Sequence, residues 1–231
     1  MAHYKGEPST HSTERDDGYI NEVDASMYFA PYDEWPEYER EAMLEARGRV
    51  LDVGLGAGRH SLWLQEKGHE VVGIDVSPLA VEVSRLRGVR DPRVMDATEM
   101  DFPADHFDTI ILMGANLGIV GDVPVIQKVL SNLDRITKPD AIIVGSTRDP
   151  LKTGNPAHLA YHEMNRRRGK PPGFVRIKVN FRGVKGEWFD FLMMGEKLLA
   201  EVLEPTTWEV SKIYGSGKAD YNAILSRKAR P

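Results

Sequence analysis

Two short apolar runs, Arg49-Val50-Leu51-Asp52-Val53-Gly54 and Val71-Val72-Gly73-Ile74-Asp75, flank glycines at 54, 56 and 58 and the segment Arg59 to Gln65, which reads as a helix. Continuously apolar strands separated by a helix point to a parallel pair buried on both faces, because a half-exposed strand alternates polar and apolar residues. The glycines let the backbone turn tightly and approach a ligand closely, at the point where the helix presents its unpaired N–H groups. Asp75 ends the second strand, 17 residues beyond Gly58, and is placed to accept hydrogen bonds from a ribose diol. A dinucleotide fingerprint, G-x-G-x-x-G, requires its third glycine at position 59, where Arg59 stands. Asp52, two residues before Gly54, repels a pyrophosphate and suits an amino-bearing ligand. The plainer alternative is a turn that serves strand-to-helix geometry alone.

The same rhythm continues. Ser77 to Arg87 reads as a helix with Ser77 as cap and Pro78 at its first position, Arg93 to Met95 as a short strand, and Phe107 to Met113 as a longer one. Asp122 to Thr137 reads as a helix and Ala141 to Ser146 as a fifth strand. Strands and helices in this order predict a doubly wound α/β fold with helices on both faces of a mostly parallel sheet. Trp208 to Tyr214 and Tyr221 to Ser226, joined by Gly215-Ser216-Gly217, predict an antiparallel C-terminal hairpin at its edge. Residues 1–18 are polar and without periodicity, and read as a flexible arm. Residues 19–47 read as a helical cover, with Ile20, Val23, Met27 and Tyr28 near helical spacing and a second run opening after Trp35-Pro36. Residues 48–231 then form a single domain, interrupted at about 149–195 by an insertion rich in Pro, Gly, His and Arg. The insertion contains the alternating stretch Phe174 to Arg182.

The chain has no cysteine, which excludes a disulfide framework, a thiolate nucleophile and Cys-ligated zinc. No apolar run approaches the roughly 18 residues of a membrane span, and Met1 to Asp17 lacks the apolar core of a secretory signal, so a cytoplasmic location is expected. The net charge of -5 is unevenly spread. Residues 1–47 carry 12 acids against 4 bases, whereas residues 148–185 carry 10 bases against 2 acids.

Leu51-Asp52-Val53-Gly54-Leu55-Gly56-Ala57-Gly58 with Gly73-Ile74-Asp75-Val76-Ser77 resembles the first two motifs of the class I S-adenosylmethionine-dependent methyltransferases. The order of elements resembles that family from about residue 49 to 147, and the hairpin stands where the family places the last two of its seven strands. The resemblance implies S-adenosyl-L-methionine as cofactor, with Gly54, Gly56 and Gly58 beneath its methionine and ribose and Asp52 at its amino end. It further implies that Asp75 holds the ribose hydroxyls and that Val76 lies against the adenine. Asp96 and Ala97 would read the adenine edge, with a helix cap or surface acid as the alternative for Asp96. Met113 and Gly114, at the end of the fourth strand, would lie below the sulfonium. Asn116 is either a polar contact there or a plain turn residue. The Asn/Asp-Pro-Pro-aromatic signature of nucleic-acid N-methyltransferases is absent from Gly114 to Gly118.

The resemblance thus predicts a transferase that moves a methyl group to an O, N or C nucleophile of a small molecule, with no metal site, acting as a monomer or homodimer. The candidate catalytic groups are His158, Tyr161, His162 and Asn116; the candidate acceptor contacts are Tyr28, Tyr32, Arg176 and Trp188. His60 either points at the cofactor or caps and packs. Arg176, Lys178, Asn180 and Arg182 fall on one strand face, which suits an anionic acceptor. The alternative is a solvated face neutralised by the acids of the first 47 residues. Two other functions compete: a nucleic-acid-modifying enzyme that uses the basic insertion, disfavoured by the acidic total, and a regulatory module that binds the cofactor without catalysis.

Overall fold

The computed structural model describes residues 1–229. Its strands are β1 (Thr10–Arg15), β2 (Ile20–Asp24), β3 (Arg49–Val53), β4 (Glu70–Asp75), β5 (Pro92–Val94), β6 (Phe107–Leu112), β7 (Thr137–Arg148), β8 (Phe174–Phe181), β9 (Val184–Lys185), β10 (Phe189–Leu192), β11 (Trp208–Tyr214) and β12 (Asp220–Arg227). Its α-helices are α1 (Glu37–Met43), α2 (Arg59–Glu66), α3 (Pro78–Leu86), α4 (Val123–Ile136), α5 (Pro156–Arg167) and α6 (Glu196–Leu203). Seven strands form one sheet in the order β11-β12-β7-β6-β3-β4-β5, parallel from β5 to β7 and antiparallel from β7 through β12 to β11. This is the expected α/β architecture with its C-terminal hairpin.

Successive apolar residues of the central strands feed opposite faces, as the period of a strand requires. Leu51, Ile110 and Ile143 pack with Leu130, Leu133 and Ile136 of α4 and with Leu199 and Leu203 of α6. Val50, Ile111 and Val144 pack with Trp63 and Leu64 of α2 and with Ala42 and Met43 of α1. Burial of each such side chain stabilises the fold by about 1.5–3 kcal/mol. Trp208, fully buried, also donates its indole N–H to the Leu130 carbonyl at 3.1 Å. Among the described residues no helix is long and apolar enough to cross a membrane.

The amino-terminal segment differs from expectation. Residues 10–24 are neither a loose arm nor helix: β1 and β2 form an antiparallel hairpin that joins β8, β10 and the short β9 in a second sheet. Its turn is Asp16-Asp17-Gly18-Tyr19, with Gly18 at φ 86° and the Arg15 N–H donating to the Tyr19 carbonyl at 2.9 Å. Ile20 and Val23 stand three residues apart and so imitate a helical face; pairing of β2 with β1, whose other edge is held by β8, decides for strand. The helical cover reduces to α1 and short 3-10 turns at Ala25–Tyr28 and Tyr32–Glu34.

The opposed charges of the two segments meet in this sheet. Glu14 pairs with Lys178 at 3.0 Å, Asp16 with Arg168 at 3.0 Å and Glu7 with Arg182 at 2.6 Å, while Arg176 faces Asp190 of β10 at 3.5 Å. Behind the sheet, α5 is anchored by Asn165, whose amide donates to the Phe174 carbonyl at 2.6 Å. His162 on the same helix is only 4% exposed and its Nδ1 has no hydrogen-bond partner.

Burial, followed by the charges of Arg166, His158 and Arg15, holds the His162 imidazole below its ordinary range. A histidine depressed in the folded state gives full stability above its unfolded value of about 6.5 and loses it as the pH falls toward the folded value. The fall in unfolding midpoint between about pH 7.5 and pH 5.5 should therefore be smaller in His162→Leu than in wild type. A residual fall remains, because burial also depresses His11, His106 and His158.

Candidate cofactor and acceptor site

The carboxyl ends of β3, β6 and β7 open into a cavity of about 550 Å3, within the range of small-molecule sites. Its floor is the glycine turn. Gly56 adopts φ 55°, a left-handed conformation that L side chains rarely take, and a Cβ there would meet nothing within 4 Å: the backbone faces open cavity. Gly54 serves close packing instead, since a Cβ there would stand 2.4 Å from Asn116 Nδ2. Gly58 is buried against Val89 and Ser84, away from the cavity.

Asp75 stands beside this floor. Its Oδ2 accepts the Gly56 N–H at 3.0 Å and its Oδ1 accepts the Ser77 N–H at 2.8 Å, so the turn and the start of α3 hold its carboxylate in place. Val76 is 65% exposed, and the Asp96 side chain caps its own turn by accepting from the Thr98 N–H at 2.7 Å. Asp75, Val76, Asp96 and Ala97 lie outside the cavity wall, along the same edge of the sheet.

Asp52 is not in the wall either. It is 1% exposed beneath the turn, accepts the Ser61 hydroxyl at 2.6 Å, and burial raises its carboxyl above the usual range. Asn116 lines the cavity but donates its amide to the Val53 and Gly54 carbonyls at 3.1 and 3.2 Å, pinning the end of β6 to the end of β3. Met113 and Gly114 line the wall beside it.

The roof comes from the segment before β3. Met27, Tyr28, Ala30, Glu34, Pro36, Tyr38 and Glu39 face the cavity. The roof is attached through Trp35, which is buried, donates to the Ala30 carbonyl at 2.9 Å and packs edge-on against His60 at 4.7 Å. Glu39 of α1 accepts from Arg59 at 2.7 Å and meets His60 Nε2 at 2.9 Å, both from the first turn of α2. The far wall is Ser146, Thr147 and Arg148 of β7 with Asp220, Tyr221 and Asn222 of β12. Ser146 accepts the Ala115 N–H at 2.5 Å, and Arg148 pairs with Asp220 at 3.5 Å.

Of the residues singled out from sequence, the cavity gathers Gly54, Gly56, Met113, Gly114, Asn116 and Tyr28. Tyr32 packs below it, stacked on Trp63 at 4.8 Å. The catalytic candidates of α5 belong to the second sheet. Tyr161 donates to Asp16 at 2.6 Å, and burial together with that carboxylate pushes its phenol up to about 12. His158 packs against Tyr19, and His162 is enclosed in α5. Arg176 and Trp188 also stand there, Trp188 beneath the Lys178 ammonium at 4.4 Å. None of these five lines the cavity. The basic strand face therefore lends no charge to it. Sequence reasoning passed over Tyr38, Glu39, Ser146, Arg148 and Asp220, and left His60 undecided; Arg59 in place of a third glycine was the one local signal.

Comparison with known proteins bears on the fold and the family. Residues 51–145 match the model of a methyltransferase domain. The crystal structure of an S-adenosylmethionine-dependent methyltransferase from Bacteroides fragilis, in complex with S-adenosyl-L-homocysteine, superimposes with a TM-score of 0.83 at 27% identity, covering 98% of this chain and 91% of that one. A phosphatidylethanolamine N-methyltransferase of Cereibacter sphaeroides is 38% identical over 124 residues, 50% of this chain and 59% of that protein. A ubiquinone biosynthesis O-methyltransferase of Hahella chejuensis is 33% identical over 105 residues, 43% of this chain and 42% of that protein. The chain thus spans about half the length of these curated relatives.

Proposed function

This chain is a member of the class I S-adenosylmethionine-dependent methyltransferases, and on that premise we propose that it methylates a small molecule held in the roofed cavity above the glycine turn. The observation that carries this reading is the cavity itself: the open backbone at Gly56 and Gly114, with Asp75 fixed alongside, fits a nucleoside-bearing cofactor. When bound, S-adenosylmethionine supplies a methyl group on a sulfonium as the electrophile.

The protein contributes position. Met27, Tyr28, Ala30, Pro36 and Met113 give the cavity apolar walls that exclude water, while Arg148 and Asp220 offer polar contacts at its far end. Holding a nucleophile in line with the methyl carbon supplies much of the rate in such a transfer. The roof over a cavity of about 550 Å3 favours a small acceptor over a polymer, and the ion-paired basic insertion offers no stripe of free cations for a phosphate backbone.

The test is incubation of the protein with methyl-labelled S-adenosylmethionine and a fractionated cell extract. Label is expected in the metabolite fraction that survives removal of protein and nucleic acid. Label confined to the RNA, DNA or protein fraction would reject a small-molecule acceptor.

A further inference from the structure

The acid that the glycine motif offers to the amino end of the cofactor is sealed off. Asp52 is 1% exposed, has no place in the cavity wall and is already hydrogen-bonded to Ser61. Burial also disfavours its ionised form. A second carboxylate does face the cavity. Glu39 is 8% exposed, reaches the wall from the roof helix α1, and makes a 2.7 Å ion pair with Arg59 of α2, which lines the same wall.

We propose that the Glu39–Arg59 pair, and not Asp52, is the site for the amino-acid end of the cofactor, Glu39 taking the ammonium and Arg59 the carboxylate. The inference rests on the reading of this cavity as the cofactor site. An α-amino acid end is a zwitterion. Laid antiparallel against a carboxylate–guanidinium pair, it turns two charges into four of alternating sign and leaves none of them unpartnered in a partly buried site. His60, 2.9 Å from Glu39 and itself in the cavity wall, and Trp35 beneath Arg59 at 5.2 Å fix the pair in place. Glu39 and Arg59 sit on opposite sides of the roof seam, so the same ligand would tie roof to floor.

Three ligands test this by calorimetry: S-adenosylhomocysteine, its deaminated analogue S-adenosyl-4-thiobutyrate, and 5′-methylthioadenosine, which lacks the amino-acid end. Charge-assisted hydrogen bonds in a partly buried site correspond to about 10- to 100-fold in affinity. Glu39→Gln should weaken S-adenosylhomocysteine by about that factor, while leaving the deaminated analogue and 5′-methylthioadenosine within about threefold of wild type. Asp52→Asn should leave the preference for S-adenosylhomocysteine over 5′-methylthioadenosine within about threefold. Equal weakening of all three ligands by Glu39→Gln would show a purely structural role and overturn the proposal. Collapse of the preference in Asp52→Asn, with Glu39→Gln retaining it, would return the ammonium to Asp52. If wild-type protein bound none of the three, the cofactor reading itself would fall and this inference with it.

Discussion

Asp75→Ala is expected to lower the affinity for S-adenosylhomocysteine by about a hundredfold, from the loss of two hydrogen bonds to a charged group at about 1.5–3 kcal/mol each, offset by partial replacement with water. The carboxylate has two duties. It accepts the backbone N–H groups of Gly56 and Ser77, which fixes the glycine turn against the start of α3, and on the proposed reading it also accepts from the ribose diol. On the proposed reading alanine removes the diol's acceptor and loosens the turn together. Asp75→Asn keeps one carbonyl oxygen at the same place and should lose less, about tenfold. Titration calorimetry at constant salt reads both variants. Affinity of Asp75→Ala within about threefold of wild type would displace the ribose from this residue.

The largest effect on stability is expected from Gly118→Ala. Gly118 ends the 3-10 turn Asn116–Gly118 that follows β6, and a Cβ built there would lie 1.8 Å from the Leu192 carbonyl oxygen of β10. That oxygen has nowhere to go: Leu192 pairs with Phe174 across the second sheet, and two residues on the Met194 N–H donates to Thr147 of β7. One of the two sheets must move. The expected cost is about 2–4 kcal/mol, a fall of roughly 5–15 °C in thermal midpoint for a chain of this size. Gly154→Ala is the control, since a Cβ there meets nothing within 4 Å, and it should leave the midpoint within about 2 °C. Near-equal midpoints for the two variants would mean that the seam between the sheets yields easily.

What the sequence made legible was whatever the chain decides locally. The strand, the glycine turn and the acid that ends β4 are written within 27 residues, from Arg49 to Asp75, and their apolar runs leave one architecture open to them. The hairpin of β1 and β2 was hidden because Ile20 and Val23 satisfy a helical spacing. β2 takes its ladder from β1, and only β8, far along the chain, pairs the other edge of β1 and ties the hairpin into a sheet. Its turn, Asp16-Asp17-Gly18, carried a hairpin signal that the helical spacing masked.

The roof and far wall were illegible for a related reason. Glu39 is one of four acids, at positions 37, 39, 41 and 45, and nothing in their spacing marks it out. It is buried only because α1 packs against β12, β11 and β7, distant in sequence, and meets Arg59 and His60 of α2. Ser146 and Asn222 become neighbours only through the register of β7 with β12. The α5 candidates misled in the opposite direction. His158, Tyr161 and His162 have the chemistry of catalysis, but Tyr161 is bonded to Asp16 and His162 is enclosed behind the second sheet.

The pairing of β1 with β8 sets a constraint on how the molecule comes into being. Ser12 meets Asn180 across a span of 168 residues, so when the chain is synthesised the first strand waits until five strands of the main sheet, β3 to β7, have been made. Closing a loop of that length costs about 4–5 kcal/mol in chain entropy before any pairing repays it, which makes this a late step in folding. The cavity inherits the delay, since its roof begins near Met27 and its far wall ends at Asn222. A ligand bound between them reports that the chain has folded from Met27 through Asn222, and a nascent copy that ends before β12 lacks the far wall.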